Sequence, residues 1–157
     1  MKTILEQFKW LVEYCGLKCE INYDTMQVCI LYRTKTGWFG WGRTVSKDRN
    51  KILDELCDYV KEYQNSPSMY DVDIYRLIKI IHLLKKRIST EQLQAIVTSF
   101  ENTSYEFIVG DTGRILLIDY AMNTTKKITF MELIDLSLKL RMEEAVWHIT
   151  EKKQLMA

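Results

Sequence analysis

Asp71-Val-Asp-Ile-Tyr-Arg-Leu-Ile-Lys-Ile-Ile-His-Leu-Leu-Lys-Lys-Arg87, at the middle of the chain, is the stretch whose reading decides the fold. Ile74, Leu77, Ile78, Ile81 and Leu84 recur at the spacing of one helical face, and Tyr75, Ile80 and Leu83 add apolar surface on its flanks. A helix apolar over most of its circumference needs packing partners on more than one side. The segment therefore predicts a central buried helix lying between two groups of elements.

On its N-terminal side, Ile4, Leu5, Phe8, Leu11, Val12 and Cys15 stand at helical spacing, with Gly16 as the C-terminal cap. Residues 18–23 and 26–33 alternate with the period of two expected of half-buried strands, and Asp24-Thr25 between them predicts a tight hairpin. Thr34 to Gly37 is a polar turn into a third strand, Trp38-Phe39-Gly40-Trp41-Gly42-Arg43-Thr44-Val45. Ser46 is expected to cap a second helix with an apolar stripe of Ile52, Leu53, Leu56, Cys57, Val60 and Tyr63. Residues 65–70, with the only proline, Pro67, form the connector.

On the C-terminal side, Ser89-Thr90-Glu91-Gln92 has the form of a capping box opening a short helix. Residues 105–109 and 114–120 flank Gly110-Asp111-Thr112-Gly113 and predict a β-hairpin. Thr129-Phe130-Met131-Glu132 is a second capping box, opening a long helix expected to fray from Glu151 onward. The predicted fold class is α+β, a single domain over 1–157 with two lobes. The first is an αβββα lobe over 1–64, and the second an ααββα lobe over 71–157. The two halves also share a sequence echo: Thr36-Gly37, Lys51-Ile52 and Glu55-Leu56-x-Asp58 against Thr112-Gly113, Lys127-Ile128 and Glu132-Leu133-x-Asp135.

Composition narrows the function classes. Apolar residues make up 47% and charged residues 27%, ordinary values for a globular chain. The net charge of +1 supplies no overall field to draw the chain to nucleic acid or an anionic membrane, so any such binding is local. No apolar run reaches the roughly 20 residues of a membrane span, and the charged N-terminus does not suit a signal-peptide core, so the expected location is cytoplasmic. Cys15, Cys19, Cys29 and Cys57 are then expected to be free thiols.

The most unusual run is Trp38 to Arg43. Alternation puts Phe39, Trp41 and Arg43 on one face and Trp38 with two glycines on the other. Glycines in a strand admit close approach of another backbone, and aromatics beside arginine are the mix found in protein-binding hot spots and in stacking surfaces for nucleic acid. Lys47, Arg49 and Lys51 follow directly, so the candidate binding residues are Trp38, Phe39, Trp41, Arg43, Lys47, Arg49 and Lys51. The order helix, three strands, helix over residues 3–64 resembles the double-stranded-RNA-binding domain, whose glycine-rich third strand and basic last helix fall at Gly40, Gly42 and Lys47, Arg49, Lys51. It departs from that family in its short first hairpin and in Asp48, which interrupts the basic run.

No metal or cofactor site is expected: His82 and His148 have no His or Cys ligand partners beside them, and Asp111-Thr112-Gly113 belongs to a turn. Phosphate-loop, zincin and nucleophile-elbow motifs are absent from the sequence, and a third reading is a small hydrolase using Glu101, Glu106, Asp111 or Asp119 with a metal. The expected function is non-catalytic binding of a protein partner, as an inhibitor or adaptor. The rival is nucleic-acid binding through residues 38–51. The 15 lysines against 7 arginines fit an A+T-rich genome, so a phage-borne inhibitor of a host system is one concrete form.

Overall fold

The computed structural model describes residues 2–64 and 73–156, with side chains at 2–64 and 74–143. The expected connector 65–70 with Pro67, the Asp71 start of the central segment, and the His148 side chain lie outside the described residues. The elements are α1 (Lys2–Tyr14), β1 (Lys18–Asn22), β2 (Gln27–Thr34), β3 (Gly37–Thr44), α2 (Arg49–Gln64) and α3 (Asp73–Ile80) with a 3-10 segment (Ile81–Lys86). After these come α4 (Thr90–Ser99), β4 (Tyr105–Val109), β5 (Ile115–Asp119), β6 (Thr124–Ile128) and α5 (Phe130–Met156). The fold is α+β, with two separate antiparallel sheets of order β1-β2-β3 and β4-β5-β6. Two compact units result, Met1–Ile88 and Ser89–Ala157.

In the first unit, α1 buries Ile4, Leu5, Phe8, Leu11 and Val12 and stops where Gly16 turns to φ 84°. The Leu17 N–H then reaches the Val12 carbonyl at 3.2 Å, the bond that closes a Schellman cap. The β1–β2 loop spans residues 23–26, because Asn22 Oδ1 accepts the Asp24 and Thr25 amides and Met26 takes φ 57°. The β2–β3 loop is two residues, between paired Thr34 and Gly37. Buried Val28, Ile30 and Tyr32 of β2 and Cys19 of β1 share the inner face. All four cysteines are free, and Cys15, Cys19 and Cys57 are buried as small apolar groups. Burial pushes the Cys19 thiol up to about 12.

Asp48, not Ser46, caps α2. Its Oδ1 accepts the Asn50 amide at 2.9 Å, while Ser46 Oγ accepts from Asp48 itself. The central segment departs from the expected single helix. It runs as α-helix to Ile80, tightens into 3-10 winding, and ends at Arg87 in the left-handed region. At three residues per turn the buried positions shift relative to an ideal α-helical stripe. Ile80, Ile81, Leu83 and Leu84 are therefore all buried, Ile78 is only half-buried, and Tyr75 is exposed. The segment packs against α1 and α2 within the first unit. Two polar groups tie it in. Buried Gln7 of α1 donates to the Ile88 carbonyl at 2.9 Å, and buried His82 lies 3.6 Å from Cys57 Sγ.

In the second unit both capping boxes form, Ser89 with Gln92 and Thr129 with Glu132. The expected hairpin is present with Gly113 at φ 82° in its turn, and β6 extends it to three strands. Residues Thr124 to Lys127 are all exposed and carry no apolar alternation, which is why this edge strand has no hydrophobic signature. Each unit thus contains the order helix, three antiparallel strands, helix, to which the first adds α3 and its 3-10 segment. The sequence echo does not follow that correspondence. Thr36-Gly37 precedes β3 but Thr112-Gly113 precedes β5, and Lys51-Ile52 lies in α2 where Lys127-Ile128 lies in β6. The α5 backbone continues to Met156, past the expected fraying point.

Candidate binding surface

Strand β3 is an edge strand, and its aromatic rings are not absorbed by the core. Trp38, Phe39 and Trp41 are 37%, 51% and 39% exposed. The β2–β3 register sets Phe39, Trp41 and Arg43 opposite Tyr32, Ile30 and Val28 on the inner face, and Trp38 opposite Arg33 on the outer face. Inner-face packing comes from α2. The Trp41 ring stacks on Tyr63 with centroids 3.8 Å apart and planes 3° from parallel. One carboxylate, Glu62, accepts Trp41 Nε1 at 3.2 Å and Arg43 Nη1 at 2.9 Å. Arg43 is therefore already charge-compensated, and one edge of Trp41 is held.

Beneath that stack two tyrosine hydroxyls bridge the Ile30–Trp41 pair. Tyr59 Oη accepts the Ile30 N–H at 2.8 Å and donates to the Trp41 carbonyl. Tyr63 Oη accepts the Trp41 N–H at 3.0 Å and donates to the Ile30 carbonyl at 2.5 Å. Each phenol serves as one donor and one acceptor, which uses its single proton. Burial raises the pKa of both above the usual tyrosine range and keeps those protons in place. The adjacent Gly40 is obligatory: a Cβ there would lie 1.9 Å from the Ile30 carbonyl oxygen. Gly42 faces only the Gln27 side chain, 2.9 Å from where its Cβ would be.

On the outer face, Lys18 Nζ of β1 sits 4.5 Å from the centre of the Trp38 ring, a cation–π contact that reaches across β2. Arg33 is exposed beside it. Sequence spacing does not single out Lys18 and Arg33, because their place beside Trp38 depends on cross-strand register. It does carry a signal for Glu62, which stands three residues after Tyr59 at helical spacing and is absent from the candidate set above.

Lys47, Arg49 and Lys51 are exposed, and among the described residues they and Arg33 make no ion pair. They do not all join the aromatic cluster. Arg49 opens α2 while Glu62 lies in its last turn, roughly 20 Å away along the helix axis. Arg49 instead lines a shallow depression with Leu53, Leu84 and Arg87.

The carboxylates considered for a hydrolytic site are dispersed. Glu106 accepts the Tyr120 hydroxyl, and Asp119 Oδ1 accepts the Ala121 and Met122 amides in a turn. Among the described residues no three His, Cys, Asp or Glu side chains group to hold a metal ion, and no helix is long and apolar enough to cross a membrane. Comparison with protein-family models, curated proteins and solved structures finds no match to this chain.

Proposed function

We propose that this chain is a non-catalytic macromolecule-binding protein whose partner is another protein, engaged through strand β3 and acting by occlusion as an inhibitor or adaptor. The observation that carries this reading is the exposure of three aromatic rings on one edge strand, with Trp41 backed by Tyr63 and Glu62 on the inner face and Trp38 held by Lys18 on the outer face. Aromatic anchors held in place by neighbours lose little side-chain entropy on binding and supply large contact areas. Arg43, neutralised by Glu62, orients the surface more than it attracts a partner.

The test is affinity capture from lysate of the source cell with and without nuclease. A protein retained after nuclease and lost from folded Trp38→Ala or Phe39→Ala variants supports the reading. Loss of all captured material on nuclease treatment favours the second reading, nucleic-acid binding. That reading rests on Trp38 with Lys18 and Arg33 forming an open aromatic and basic face. It predicts that neutralising Lys18 and Arg33 together flattens the salt dependence by about one unit of slope for each phosphate no longer neutralised.

A further inference from the structure

We infer that β3 binds its partner by β-augmentation, taking an extended, acidic segment of another protein as a fourth strand alongside β3. This deepens the proposed protein-binding reading and rests on it. The ladder itself fixes which backbone groups are free. Thr34 and Gly37 flank a two-residue loop and so form a hydrogen-bonded pair, and at the other end the Val45 N–H donates to the Met26 carbonyl at 2.9 Å. Alternation between these ends turns the amides and carbonyls of Phe39, Trp41 and Arg43 toward β2. Those of Trp38, Gly40, Gly42 and Thr44 face away from the sheet.

Apart from the inward-facing Arg43 near one end, the usual protections of an edge are missing here. β3 has eight residues, no proline, and no charged residue before Arg43, and residues 38–42 are all exposed. Two of the four outward-facing residues are glycines, which present peptide groups with no side chain to fend off an incoming strand. Trp38 and Phe39 project to opposite faces and would flank alternate side chains of the guest.

Charge selects the guest. Arg33, on β2 opposite Trp38, and Lys47 beyond Thr44 have no ion pair among the described residues, whereas Glu62 is engaged by Trp41 and Arg43 and Asp48 Oδ1 accepts the Asn50 amide as the helix cap. A second copy of this chain would bring its own uncompensated cations to the same edge, so like charge opposes self-pairing. An extended segment with acidic flanks meets the edge without that cost.

The experiment selects peptides from a random displayed library on the immobilised full chain, then follows amide exchange of the chain with the best peptide bound. The expected peptides carry acidic residues around an alternating apolar stretch. Binding should slow exchange of the Trp38, Gly40, Gly42 and Thr44 amides about tenfold or more. N-methylation of the peptide should abolish binding at every second residue and be tolerated between. Three results would each overturn the inference: no enriched peptide, peptides without acidic residues, or binding that leaves those four amides exchanging as before. A nuclease-resistant protein partner captured alongside any of these would keep the protein-binding reading while removing β-augmentation, and its absence would remove both.

Discussion

Gly40 and Gly42 look equivalent as letters and are not equivalent in the sheet. Gly40→Ala must push the Ile30 carbonyl aside, and overpacking of a backbone contact is expected to cost about 2–3 kcal/mol. Gly42→Ala meets only the mobile end of Gln27 and should change stability by less than about 0.5 kcal/mol. Urea unfolding of the two variants checks this, and equal costs would mean that β2 and β3 do not approach as described. Tyr59 and Tyr63 make a second test. Their hydroxyls add hydrogen bonds to strand groups that also pair across the ladder, so Tyr59→Phe is expected to cost about 0.5–1.5 kcal/mol through the bonds lost. Both folded-state pKa values lie above the unfolded value of about 10, so the phenols stabilise the fold fully below that pH. Their contribution falls as the pH rises above it. In an alkaline absorbance titration, two of the nine tyrosines should ionise only as the chain unfolds. Smooth ionisation of all nine in folded protein would contradict the bridging role.

At the scale of elements, the central segment shows how much winding matters. Its α-helical half obeys the expected spacing at Ile74 and Leu77, which are fully buried. Its 3-10 half buries four residues that no single α-helical stripe would group. Leu77→Asp is therefore the decisive substitution, expected to cost more than about 3 kcal/mol as an uncompensated buried charge. Tyr75→Asp, on the exposed side of the same helix, should stay within about 1 kcal/mol of wild type. Thermal melts of both variants separate the cases, and a near-native Leu77→Asp would mean that the segment does not pack against α1 and α2.

At the scale of the molecule, residues 1–88 contain their own sheet, three helices and core, closed by the Gln7 bond to Ile88. Expressed alone they are expected to unfold cooperatively in denaturant with a resolved near-ultraviolet tyrosine and tryptophan signal, and a broad transition without that signal would show that the core is incomplete. The α+β class, the two capping boxes, the Gly16 stop and five of the six strands are written in local patterns of three to eight residues, because caps, turns and alternation act between chain neighbours. Local pattern failed where the deciding neighbour is distant in sequence. β6 is polar because it is an edge, so only pairing with β5 identifies it. The aromatic run at 38–41 stands out in the sequence, but its division into an inner ring stacked on Tyr63 and an outer ring over Lys18 follows from register and from α2. The basic residues after it are adjacent in sequence yet begin a helix that carries Arg49 away from Trp41. Composition and spacing determined which residues are available for binding. Only the tertiary structure decided which of them share a surface, since cross-strand register and helix direction convert sequence distance into spatial distance.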